Sequence, residues 1–131
     1  MQSYAHVSLV TLLAICVYFW MAIQVARTRT KVGILAPVMS GDPLLERTIR
    51  AHLNMLEWFP IFLPAMWLFA IYWKATAAAL LGIVWVIGRI VYFVGYVAEA
   101  RRRFPGFFIQ SLAAAVLVLG AAGRILYLTW A

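Results

Sequence analysis

The sequence predicts an all-α, integral membrane four-helix bundle, and three observations carry that prediction. Hydrophobic residues fill 66% of the 131 positions, and the mean hydropathy is +0.95. Charged residues make up 11%, against about 25% in an ordinary soluble domain, too few to clothe a water-facing surface. The apolar residues come in continuous runs that approach the about 20 residues a helix needs to cross the hydrocarbon core. Such runs lack the two-residue alternation of a membrane β-barrel. The same composition excludes a disordered chain, and 131 residues fit a single domain, read here as 1–131.

The first span is expected near Tyr4 to Ala26, because no formally charged residue occurs from Met1 to Ala26. The run is too long for a signal-peptide core and has no basic segment before it, so it reads as a retained span. The uncharged run Trp58 to Trp73 is short, so the second span is extended back to Leu44, drawing Arg50, Asn54 and Glu57 into or near the membrane. Pro60 and Pro64 fall inside it and should kink it, which neighbouring helices can accommodate. The third span is placed at Thr76 to Ala98 and contains Arg89. The fourth is placed at Phe107 to Tyr127, with Gln110 and Ser111 near one end and many alanines suited to close packing.

The formal net charge is +7, from 11 Lys and Arg against 4 Asp and Glu. Basic residues at this density can indicate nucleic-acid binding, but here most lie between apolar runs. Arg27, Arg29, Lys31, Arg47 and Arg50 cluster around the first connection and Arg101, Arg102 and Arg103 around the third. The second has only Lys74 and the C-terminal end only Arg124. The positive-inside rule then places the first and third connections in the cytoplasm and both termini opposite. Gly33, Pro37, Gly41 and Pro43 make the first connection a turn-rich segment ordered by caps. The one cysteine, Cys16, excludes an internal disulfide framework and is expected to be a small buried hydrophobe. No metal site is expected, since His6 and His52 stand apart and His52 is expected to be a helix-packing or interfacial histidine rather than a ligand.

Ionisable groups inside a membrane are costly and point to function. Arg47, Arg50, Asn54 and Glu57 follow one another at spacings of 3, 4 and 3. At about 100° per residue they share an arc of about 80°. The alternative is a structural ion pair between Glu57 and an arginine that holds helices together. Arg89, Tyr92, Tyr96 and, if the helix continues, Arg103 share an arc of about 60°. Two phenols beside a guanidinium offer donors to an anionic or thiol ligand. Interfacial anchoring is the alternative for Tyr96, but it does not explain Arg89. The run Arg101-Arg102-Arg103 sets topology or touches anionic lipid, with any chemical role needing further support.

Two stretches then carry a family resemblance. Glu46 to Pro60 (ERTIRAHLNMLEWFP) resembles the E-R-x-x-R-A-[HQ]-x-N-x-x-E-x-x-P signature of the MAPEG family, the membrane-associated proteins in eicosanoid and glutathione metabolism. Gly88 to Tyr96 (GRIVYFVGY) resembles the family's second block, G/A-R-x-x-Y-x-x-G-Y. The resemblance implies a homotrimer of four-helix subunits that binds glutathione, without a metal, between neighbouring subunits at the cytoplasmic side. It implies that Arg29, Arg50, Asn54 and Glu57 hold the tripeptide's charged ends, that Tyr92 and Tyr96 line the same pocket, and that Arg89, matching a family arginine of the bundle interior, belongs to the same glutathione-binding set. It gives thiol activation to an arginine after the third span. Arg103 fits that position without gaps, and Arg101 and Arg102 are the alternatives.

The sequence also departs from the family pattern. Ala22 stands where some members have serine, Thr30 where leukotriene-forming members have a second arginine, Met55 where others have aspartate, and Trp58 where leukotriene-forming members have tyrosine. These departures argue against a specific eicosanoid reaction and leave the glutathione-holding set largely intact. The leading expectation is therefore a glutathione transferase, with peroxidase activity as a further option. It would act on lipophilic electrophiles or lipid hydroperoxides in detoxification, with membrane lipid and no nucleic acid as partner, in a membrane that suits a bacterial inner membrane. The competing expectations are a non-catalytic lipid-presenting member and a small transporter that uses Glu57 as its coupling carboxylate.

Overall fold

Four long helices account for nearly all of the computed structural model, which describes residues 2–131. They are α1 (Ala5–Val32), α2 (Pro43–Tyr72), α3 (Ala75–Ala98) and α4 (Phe104–Trp130). All four are long and apolar enough to cross a membrane, and the chain is a multi-pass integral membrane protein. Short 3-10 turns at Gln2–Tyr4 and Ala100–Arg103 precede α1 and α4.

Local chemistry sets the helix ends. α1 runs past Ala26, because nothing breaks the helix before Gly33, which takes the left-handed conformation at φ 74° and donates its N–H to the Arg29 carbonyl. Only glycine adopts that conformation without strain, and Arg29 and Lys31 in the last turn complement the helix dipole. The basic residues therefore sit on helix ends, and the connection itself, 33–42, carries only Asp42. The Asp42 carboxylate accepts the Leu45 N–H at 3.0 Å, and Pro43 opens α2. α2 stays continuous through Pro60 and Pro64. α4 begins at Phe104, three residues before the expected start, because Pro105 suits a first helical turn.

The core is built from α2 and α3 with one stripe each of α1 and α4. Val7, Val10, Ala14, Val17 and Met21 recur at helical spacing on α1 and are buried. Phe62 stacks flat on Trp85, with ring centroids 3.8 Å apart, and both are fully buried. His52 stacks on Tyr18 at 4.5 Å, as a packing histidine should. Cys16 differs from expectation: it is exposed, because its position on α1 falls outside the buried stripe and faces the bundle's outer surface.

The α3–α4 seam is the tightest in the bundle. A Cβ added at Gly88 would lie 2.7 Å from the Gln110 backbone nitrogen, and one added at Gly106 would run into the Tyr92 backbone. Small residues let the two backbones close, and Ala113, Ala114 and Ala121 are buried further along α4. This close approach positions Tyr92 and the start of α4 against each other.

Candidate functional site

A cavity of about 350 Å³ opens where α2, α3 and the start of α4 meet. Arg50 and Asn54 from α2, Tyr92 and Tyr96 from α3, and Arg103, Phe104 and Phe107 line it. Helical spacing explains the assembly. Arg50, Asn54 and Glu57 share one face of α2, and Tyr92 and Tyr96 lie one turn apart on α3. The tight turn after Glu99 brings Arg103 back over Tyr96.

The cationic groups are held in place. Arg50 pairs with Glu57 at 3.0 Å, and the Asn54 amide donates to the same carboxylate oxygen at 3.4 Å. The Arg50 and Glu57 side chains remain 52% and 54% exposed, so both keep hydrogen-bonding capacity for a ligand. The Arg103 guanidinium lies 5.3 Å from the Tyr96 ring centroid and 4.7 Å from that of Phe104, and it donates to the Ala100 carbonyl at 2.8 Å. Stacking on two rings fixes its plane and leaves donors directed elsewhere.

Arg89 stands behind this wall and does not line the cavity. It is fully buried, donates to the Asn54 side-chain oxygen at 2.9 Å, and lies 4.4 Å from the Tyr92 ring centroid. Its Nε and Nη2 atoms have no partner among the described residues. The bond to Asn54 fixes which way that amide points, with the oxygen toward Arg89 and the nitrogen toward Glu57. A polar chain therefore runs from Arg89 through Asn54 and Glu57 to Arg50.

Two of the arginines expected near this site lie elsewhere. Arg29 donates to the Ile34 and Val38 carbonyls and so folds onto the connection after α1, away from the cavity of its own chain. Arg47 shares the sequence stripe of Arg50, yet its Nε and Nη2 donate to the Val97 carbonyl at 3.2 and 3.1 Å, closing the end of α3. Arg101 and Arg102 are exposed and outside the cavity wall, and Arg102 contacts Glu99 at 3.5 Å. Of the three consecutive arginines, Arg103 alone lines the cavity.

Sequence reasoning missed the aromatic part of the wall. Phe107 meets Trp58 at 6.0 Å and Tyr92 at 6.4 Å between ring centroids, and Phe104 backs Arg103. The signal was present, because Arg103, Phe104 and Phe107 have the spacing of one helical turn once α4 is started at Phe104.

The arrangement suits a small anion: two fixed guanidiniums, an oriented amide and two phenols line one opening, and Glu57, outside the cavity wall, is bonded to two of them, Arg50 and Asn54. The MAPEG family model matches residues 7–123. An uncharacterised protein of Synechocystis is 44% identical over 92% of this chain and 88% of its own length. Human microsomal glutathione S-transferase 2 is 36% identical over 87% of this chain and 78% of its own length. Rat leukotriene C4 synthase is 35% identical over 92% of this chain and 81% of its own. With nearly the whole membrane bundle matched, the chain belongs to the MAPEG family.

Proposed function

We propose that this protein is a membrane-bound glutathione transferase, working as a homotrimer whose basic helix ends face the cytoplasm of a bacterial inner membrane. The observation that carries this reading is the convergence of Arg50, Asn54, Tyr92, Tyr96 and Arg103 on one cavity. The names of the human and rat relatives support glutathione as the co-substrate.

Glutathione carries two carboxylates and an ammonium. Arg50 suits a carboxylate, because a guanidinium fork binds it through two parallel bonds. Glu57 accepts the ammonium. Tyr92 and Tyr96 offer phenol donors across the opening. The thiol of a free cysteine has a pKa near about 8.5 and is mostly protonated at neutral pH. A fixed guanidinium in a poorly hydrated cavity favours the thiolate, and Arg103 occupies that place. The thiolate then attacks the electrophilic carbon of a lipophilic substrate; the carbon–sulfur bond forms as a leaving group departs with its electron pair or, in an activated alkene, as the π pair shifts to the neighbouring atom and is protonated by water. Phe104 and Phe107 give the cavity an apolar side toward such a substrate, which the bilayer concentrates; lipid hydroperoxides are a second electrophile class for the same thiolate. In the trimer, Arg29 serves a neighbour's cavity rather than its own.

A lipid-presenting role without catalysis is the second reading, favoured by one observation: Arg50, Asn54, Glu57 and Arg89 are already joined in one polar chain, as a scaffold would be. Isothermal titration of the detergent-purified protein with glutathione separates the two. Saturable binding that Arg50→Ala weakens by about tenfold or more supports the transferase. A folded, monodisperse sample that binds no glutathione overturns it.

A further inference from the structure

The seam between α1 and α3 is open along its outer side, in contrast to the closed α3–α4 seam. Three cavities of about 390, 240 and 500 Å³ follow one another along it. The α1 wall is one stripe: Leu9, Leu13, Cys16, Trp20 and Gln24 all lie on it. The α3 wall continues through Ile83, Ile90 and Val94. The exposed Ile87 falls between them. These cavities therefore form one valley. It lies outside the glutathione cavity and shares no lining residue with it.

The valley changes character along its length. From Leu9 to Trp20 its walls are almost wholly apolar. At the basic end Gln24 and Arg47 enter the wall. Arg47 is held there by its two bonds to the Val97 carbonyl, and its Nη1 has no partner among the described residues. Arg27 and Lys31 continue the same stripe of α1, since 20, 24, 27 and 31 fall within an arc of about 60°. Two carboxylates stand near this end: Glu46, the chain neighbour of Arg47, which shares the wall of a separate cavity with it, and Glu99, which lies 3.5 Å from Arg102; neither lines the valley. Two cations, Lys74 and Arg124, stand at the opposite end, and neither lines the valley.

We propose that this valley binds an anionic phospholipid from the leaflet at the basic end. One acyl chain lies between Trp20 and Val94 and runs toward Leu13, and the headgroup phosphate sits at Gln24 and Arg47 beneath Arg27 and Lys31. Charge complementarity selects the occupant. A neutral helix of a second copy would leave the fixed Arg47 cation facing apolar surface, whereas a phosphate accepts its free N–H. Length agrees as well. From Gln24 to Leu13 the helix rises about 16 Å at 1.5 Å per residue. That matches one leaflet, half of the about 30 Å hydrocarbon core.

The test uses the intact detergent-purified protein, stripped of lipid and given equal amounts of phosphatidylglycerol and phosphatidylcholine with identical chains. Native mass spectrometry should show phosphatidylglycerol retained at least threefold over phosphatidylcholine. Val94→Trp, which fills the valley, and Gln24→Glu, which repels the phosphate, should each remove about one retained phosphatidylglycerol per chain while glutathione affinity stays unchanged. Equal retention of both lipids, or undiminished retention in both variants, overturns the proposal. A second measurement needs no variant: phosphatidylglycerol carrying a diazirine in its chain should form adducts within 13–24 and 90–97 of the unmodified protein. Adducts confined to other segments, or cross-links between copies through this valley, overturn it equally.

Discussion

The two seams that α3 makes with its neighbours differ in one respect that decides what each can do. Toward α4 it presents Gly88 and receives Gly106, and Gly95 meets the Arg102 backbone in the turn just before α4, so the backbones touch and the side chains beside them have one place to go. Toward α1 it presents Ile83, Ile87, Ile90 and Val94, whose branched side chains hold the helices apart on the outer side and leave a valley. Within a bilayer no hydrophobic force closes such a gap, because lipid tails are as apolar as the side chains. Close backbone contact thus produces a rigid polar cavity, and bulky apolar contact produces a groove open to lipid.

The largest expected effect falls on the closed seam. Arg103→Ala should lower kcat for conjugation by about 100-fold, in the range seen for loss of one charge-stabilising donor. Glutathione affinity should fall by less than about tenfold, and comparing titration with turnover checks the split. Unchanged turnover would remove Arg103 from the mechanism and return attention to Arg101 and Arg102. Arg50→Ala should weaken glutathione binding by about 10- to 100-fold, because a charge-assisted bond is worth about 1.5–3 kcal/mol, and calorimetry reads it directly.

Gly106→Val tests the seam itself. Its side chain would collide with the Tyr92 backbone, so the helices must part, at about 1–3 kcal/mol for overpacking. Thermal unfolding should show a lower Tm and the glutathione site should weaken with it. Gly123→Ala is the matched control: nothing lies within 4 Å of its added Cβ, so the change should stabilise by about 0.5–1 kcal/mol through helix propensity alone. Equal responses at the two glycines would mean that close approach is not what orders α4. On the open seam the effect should be smallest. Val94→Ala is expected to shift stability by less than about 0.5 kcal/mol, since Val94 is 56% exposed.

How far the site could be read in advance differs residue by residue. The spacing of Arg50, Asn54 and Glu57 predicted one face, and the three bond to one another. Arg47 had the same periodicity and went to the Val97 carbonyl instead, because at the end of α3 an unpaired carbonyl lay within its reach. Cys16 had an apolar neighbourhood in sequence and an exposed position in space, since hydrophobicity in a membrane helix does not tell the inside from the lipid side.

The sequence by itself determined the number of helices, their apolar runs, the concentration of charge at one end and the residues able to hold a multiply charged ligand. Composition and helical period are local properties, and they survive without knowledge of any neighbour. Tertiary structure alone decided that Arg103 and neither Arg101 nor Arg102 faces the cavity, that Arg89 supports Asn54 from behind, and that α3 closes against α4 while remaining open beside α1. Each of these depends on how near two backbones come, and that distance is set by the side chains of both helices together.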